Sequence, residues 1–150
     1  MLFRSPTGPQ LRYGFETAVE PWAPAWNAPN LTVAADAAVA DTGQRSLRLW
    51  AAPGDVAPPA IGTFDVTGLS PGGTVTFRIR YLAGSGRVRP YVQDTDGGIH
   101  WPVMTPPALQ PQGWTTCSWQ VPPVAVRSVG LELDSAGNAG LVVALDTVEW

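Results

Sequence analysis

The stretch that decides the fold is Thr74–Asp94, TVTFRIRYLAGSGRVRPYVQD. Val75, Phe77, Ile79 and Tyr81 alternate with Thr74, Thr76, Arg78 and Arg80, the period of a strand with one buried face. Arg87 to Gln93 continues the pattern, Val88, Pro90 and Val92 set against Arg89, Tyr91 and Gln93. Between them Ala83-Gly84-Ser85-Gly86 suits a four-residue hairpin loop. Pairing Leu82 with Arg87 keeps the apolar sets together, with Val88 facing Tyr81 and Val92 facing Phe77. The other face then carries Arg80 opposite Arg89 and Arg78 opposite Tyr91. Like charges directly opposite cost roughly a few tenths of a kcal/mol or more. An acidic or hydrogen-bonding group therefore belongs nearby, and this face is the place to look for function. Pro90 has no N–H to give a ladder, so its strand lies at an edge or carries a bulge.

Outward from this stretch, the 150 residues suit one domain. A chain of this length buries about 70% of its unfolded surface around one core. Residues 1–10 read as a flexible lead and 11–150 as the domain. The 16 Gly and 16 Pro interrupt the chain too often for several helices. Val33 to Ala40 (VAADAAVA) is the one helix-friendly run, but a helix that short is marginal alone. It is assigned to strand and loop, like its neighbours. Strands are expected at Leu11–Glu16, Leu31–Ala35, Ser46–Ala51, Ala60–Val66, Trp114–Val121, Val126–Leu133 and Leu141–Trp150. The Trp22- and Trp26-bearing segment Thr17–Asn30 and the proline-rich Pro102–Gln112 read as loops. About eight to ten short strands with such turn spacing predict an all-β fold, a two-sheet antiparallel β-sandwich or jelly roll. The last strand is apolar at both parities, as in a strand buried on both sides.

Charge and composition exclude several functions. With a net charge of −3 and scattered Arg, a nucleic-acid-binding or anionic-membrane surface is not expected. All nine basic residues are Arg, a bias that points to a GC-rich bacterial source. Cys117 is alone, which rules out an intrachain disulfide or a cysteine metal site. The first ten residues lack the apolar run of a signal peptide or anchor. The chain is thus cytosolic, or a module of a longer secreted parent that acts outside the cell. Gly68-Leu69-Ser70-Pro71-Gly72 matches G-x-S-x-G, and His100 with Asp94 or Asp96 completes a nominal triad. The oxyanion hole of that motif uses the N–H of the residue after the serine, and Pro71 has none. The match is a turn, and no enzyme is expected. Asp94-x-Asp96-Gly97 begins like a calcium loop but lacks its later ligands, so it reads as a hairpin turn with Asx caps. Of seven Trp, Trp101 stands between a Gly-rich turn and a Pro-rich loop, either as a lid over the sandwich end or as a partly exposed ring. Exposed rings beside Arg, Gln and carboxylates are what sugar recognition uses: the apolar pyranose face stacks while the hydroxyls take directed hydrogen bonds.

Tyr13-Gly14-Phe15-Glu16 with Trp22, Thr42 to Leu49, and Leu69 to Gly72 before a long strand form an ordered set. Val88 to Gln93 before a DG turn, Gly113 to Thr116, and Leu145 to Val148 continue it. This set resembles jelly-roll carbohydrate-binding modules of the galactose-binding-domain-like superfamily, including xylan- and cellulose-chain-binding modules, from Arg12 to Trp150. The resemblance implies a non-catalytic module and a structural Ca2+ near the chain termini, with Glu16, Asp41 or the Gln44 carbonyl, and Asp146 as ligands. It also implies a glycan face built from the strands at Thr74–Tyr81, Val88–Gln93 and Ser128–Asp134. That places Arg78, Arg80, Arg89, Tyr91, Gln93 and Glu132 together, with Tyr91 and Trp101 as stacking rings. Two facing arginines suit an acidic or highly hydroxylated ligand, unless Glu132 neutralises them. The expected function is a monomeric polysaccharide- or oligosaccharide-binding accessory domain, as on a glycoside hydrolase. The alternative is a structural or protein-interaction sandwich in a phage tail or cell-surface assembly, whose arginine face docks a partner.

Overall fold

A computed structural model describes residues 10–17, 21–25, 31–52, 59–102, 113–135 and 140–150. Period-2 alternation becomes strand wherever it occurs: β1 (Leu11–Tyr13), β2 (Ala23–Ala25), β3 (Leu31–Asp36), β4 (Ser46–Ala51), β5 (Ala60–Thr63) and β6 (Thr74–Gly84). They are followed by β7 (Gly86–Asp94), β8 (Ile99–His100), β9 (Trp114–Gln120), β10 (Val126–Ser135) and β11 (Leu141–Glu149). No helix occurs among the described residues. The first sheet runs β3-β4-β11-β6-β9 with β1 beside β11, and the second runs β2-β5-β10-β7-β8. All pairings are antiparallel. The expected two-sheet sandwich is present.

The expected Thr74–Asp94 hairpin is not. β6 pairs with β11 and β9, whereas β7 pairs with β10 and β8 in the other sheet. The segment Gly84-Ser85-Gly86 is a corner that passes the chain from one sheet to the other. Gly84 pairs with Leu141 and Gly86 with Ser135, and the Ser85 N–H donates to Gly140 O at 2.9 Å. Both glycines have positive φ, 84° and 144°. A Cβ on Gly84 would collide with the Gly140 carbonyl, and one on Gly86 with the Asp134 carbonyl. Side chains cannot be accommodated where each end of the corner lies this close to the backbone of its neighbouring strand. Phe77 and Val92 do share a core, but across the sandwich rather than side by side. Pro90 fits the edge expectation in part. β8 pairs only with Val92 and Gln93, so Pro90 lies where β7 has no described strand on its second side.

β2 falls inside the expected Thr17–Asn30 loop. The Trp26 end of that segment and residues 103–112 lie outside the described residues. The core is one cluster between the sheets, with Leu47, Leu49, Phe77, Leu131, Leu133 and Leu145 at 0% exposure. Each such side chain contributes about 1.5–3 kcal/mol by leaving water, against about 0–1 kcal/mol for an exposed ion pair. Packing, not charge, holds the sheets together. β11 is buried almost throughout, as its mixed parity implied. At one end Tyr13, Phe15, Trp22 and Phe77 meet in stacked and edge-on contacts, and Tyr13 also meets Trp150. Backbone bonds between Gln10 and Trp150 close the two described ends together.

Candidate functional site

Inward positions of β10 (Val129, Leu131 and Leu133) and β5 (Ile61) fill the core, so the alternate positions form the outer face of the second sheet. The registers lay that face out in rows across β7, β10, β5 and β2. Tyr91 lies opposite Gly130, then Gly62, then Ala23; Arg89 lies opposite Glu132, then Ala60, then Ala25. Gln93 lies opposite Ser128. Small residues on three strands leave a trough, and the Tyr91 ring lies down in it. A Cβ on Gly130 would fall 2.7 Å from Tyr91 Cε1 and from its hydroxyl oxygen, and one on Gly62 would strike the same oxygen. Tyr91 is only 1% exposed. Burial pushes its phenol well above the ordinary value, and the nearby Glu132 charge adds to the rise. It is a floor, not an exposed stacking ring.

Beside this floor, Glu132 is the acid expected near the arginines. Arg89 Nε and Nη2 donate to Glu132 Oε2 at 3.1 and 2.8 Å. The Arg89 guanidinium also lies 4.6 Å from the Trp101 ring centre, a cation–π contact, and Trp101 is 41% exposed. The face thus brings together Arg89, Tyr91, Gln93, Trp101 and Glu132. Arg78 and Arg80 do not belong to it, because β6 is in the other sheet. Arg78 Nε and Nη2 donate to the two Asp41 carboxylate oxygens at 3.0 and 2.9 Å, and its Nη1 to Thr116 Oγ1 at 2.6 Å. Arg80 sits on the same strand, paired in register with Ala144 and Trp114, and its buried Nε has no partner among the described residues.

A pocket of about 320 Å³ opens along the Gln93–Ser128 row, between Pro21, Pro24, Phe64 and Arg127. Phe64 is 66% exposed, and the Arg127 guanidinium lies 5.4 Å from its ring centre. Sequence reasoning missed both residues. Phe64 lies inside the Ala60–Val66 stretch read as ordinary strand but one residue past the end of β5, and Arg127 sits at a register shift between Val126 and Ser128, where alternation loses its meaning. A second, open cleft of about 490 Å³ has Trp101, Trp119 and Gln120 on its walls.

The three carboxylates expected to hold calcium contact the 41–45 loop or Arg78, each turned to a hydrogen-bond donor. Glu16 accepts the backbone N–H of Gln44 at 2.8 Å and of Arg45 at 3.1 Å. Asp146 accepts those of Asp41, Thr42 and Thr147 at 2.8, 3.1 and 2.8 Å. Burial pushes the Asp146 carboxyl above its ordinary value, opposed by these N–H groups. Asp41 is engaged by Arg78. Calcium takes about six to eight oxygen ligands, and carboxylates already turned to N–H groups and a guanidinium do not fit it. No three acidic, His or Cys side chains among the described residues gather as a metal site. Of the nominal triad, Ser70 lies in a turn closed by Gly73 N–H to Ser70 O, and His100 Nε2 is 2.7 Å from Asp94 Oδ2 across the β7–β8 turn. Asp94 Oδ1 accepts the N–H groups of Asp96 and Gly98, the expected Asx cap.

No protein-family profile matches the chain, and no curated protein does. Solved structures do. The CBM22-1 xylan-binding domain of Paenibacillus barcinonensis Xyn10C is 19% identical at TM-score 0.61, over 91% of this chain and 89% of that one. The CBM22-1–GH10 modules of Clostridium thermocellum endo-1,4-β-D-xylanase 10B, complexed with xylohexaose, are 13% identical at TM-score 0.64. That match covers 95% of this chain but only 28% of the xylanase chain. A family 29 carbohydrate-binding module, CBM29-2, is 12% identical at TM-score 0.61, over 95% and 90% of the two chains. The chain has the jelly-roll β-sandwich fold of these carbohydrate-binding modules.

Proposed function

We propose that this chain is a non-catalytic module that binds a β-linked polysaccharide of the xylan class along the outer face of its second sheet. The observation that carries the reading is the Trp101–Arg89–Glu132 set beside the Tyr91 floor. A partly exposed indole stands next to a guanidinium whose position is held by a mostly buried carboxylate. The ring suits the apolar face of a sugar, and Arg89, Gln93 and Glu132 offer donors and acceptors to its hydroxyls. The xylan-binding neighbours on the same fold support the ligand class. The 28% coverage of the xylanase supports an accessory role within a larger secreted parent. On the opposite sheet Trp50 is half exposed, which supports seating against a neighbouring domain of such a parent.

Affinity electrophoresis in gels cast with soluble xylan tests this. The wild-type chain is expected to be retarded, and Trp101→Ala to bind about ten-fold more weakly, the loss of one stacking contact with its buried area. Its circular dichroism and melting temperature are expected to match wild type. Migration unaffected by xylan and by other β-glycans sinks the proposal, as does full retardation of Trp101→Ala.

A further inference from the structure

The Phe64–Arg127 pocket has a charge that no carboxylate among the described residues answers. Arg78, Arg87 and Arg89 each hold a carboxylate oxygen at 3.1 Å or less. Arg127 is exposed, and among the described residues no carboxylate lies within ion-pair distance of it. Its guanidinium lies over the Phe64 ring, 5.4 Å from the ring centre, and a fork with five N–H donors held by a ring contact still has donors to offer a ligand. The polar groups next to it are also under-used. Ser128 Oγ reaches Gln93 Oε1 only at 3.5 Å, and Gln93 Nε2 reaches Gly97 O only at 3.4 Å, both at the weak limit of a hydrogen bond. At about 320 Å³ the pocket is at the small end for ligand sites, suited to one sugar unit rather than a chain. It lies on the same face as the Trp101 set, one row beyond the Tyr91 floor.

We propose that this pocket takes a uronic acid unit carried as a substituent on the bound polysaccharide, with the Arg127 fork on its carboxylate. Gln93 and Ser128 take its hydroxyls, and the exposed part of the Phe64 ring takes its apolar side. A planar guanidinium matches a carboxylate with two parallel hydrogen bonds. The chain's net charge of −3 disfavours a polyanion in general, so a preference for the acidic polymer reports a local site. The inference rests on the glycan-binding reading and names the class of ligand within it.

The test compares a glucuronic acid-bearing xylan with the same polymer after its carboxyl groups are reduced to alcohols, by isothermal titration at low and at physiological salt. Wild type is expected to bind the carboxylated form about ten-fold more tightly, the size of one charge-assisted fork in a partly exposed site, with the advantage shrinking in salt. Arg127→Ala is expected to bring the ratio of affinities close to one. Arg48→Ala, which removes an exposed arginine from the other sheet, is expected to keep it. Equal wild-type affinity for the two polymers overturns this inference and leaves glycan binding standing. A ratio that survives in Arg127→Ala, or is lost equally in Arg48→Ala, also overturns it. Binding to neither polymer overturns both.

Discussion

Gly130 shows how much of the face depends on a missing side chain. The Tyr91 ring can lie flat only because Gly130 and Gly62 present nothing beneath it. Alanine at 130 would place a methyl against the Ile61 carbonyl as well as against the ring. A ring can turn away, but a backbone oxygen in a paired strand cannot. Gly130→Ala is therefore expected to lose at least about 2 kcal/mol, in the range of overpacked cores. Urea unfolding checks this, and a loss within about 0.5 kcal/mol, the level of an ordinary surface change, contradicts it. Sequence alternation correctly set Tyr91 on the outward side of β7, together with Arg89 and Gln93. It could not show that two neighbouring strands bring glycines under the ring. That is why an expected stacking platform turns out to be a buried floor, and why the exposed ring next to the pocket is Phe64.

At the scale of elements, β6 and β7 read correctly as strands and wrongly as partners. Alternation reports which side of a strand faces the core, not which strand lies beside it. Two strands facing one core across a sandwich carry the same pattern as two strands of a hairpin. The deciding information is non-local: the carbonyls of Gly140 and Asp134, far along the chain, crowd the corner and demand Gly84 and Gly86. The next turn, between β7 and β8, was legible because its cap is local. It also carries a pH dependence. The hydrogen bond from His100, followed by those from the Gly98 and Asp96 N–H groups, holds the Asp94 carboxyl below its ordinary value of 3.8. A carboxyl depressed in the folded state adds stability above its unfolded value, and that stability is lost as pH falls through the folded one. The wild-type melting temperature is expected to fall below about pH 4 partly through this group, and Asp94→Asn to show a shallower fall there. Parallel melting curves for the two proteins across that range would remove Asp94 as a cause.

For the whole molecule, the sandwich, its single core and the central burial of β11 were all legible, because burial periodicity accumulates over many strands. The junction that ties the chain's early loop to its last strand was legible in its residues but not in its chemistry. Glu16 meets the loop at Gln44 and Arg45 and Asp146 meets it at Asp41 and Thr42, the Asp41 N–H reaching Asp146 Oδ2 at a separation of 105. Acidic residues drawn to one place suit either a cation or a set of N–H donors, and sequence alone does not distinguish the two. Here five backbone N–H groups point at Glu16 and Asp146, and the Arg78 guanidinium forks onto Asp41. A guanidinium already supplies the positive charge that a metal would bring. This assigns the tie between the 41–45 loop and β11 to the protein's own donors. Excess chelator is expected to leave the melting temperature unchanged. Arg78→Ala is expected to lower stability by about 1 kcal/mol, the Asp41 pair being partly exposed, with a smaller loss at high salt. A melting temperature that drops several degrees in chelator and returns with added calcium would show that the donors yield to an ion, and the junction would then be a metal site after all.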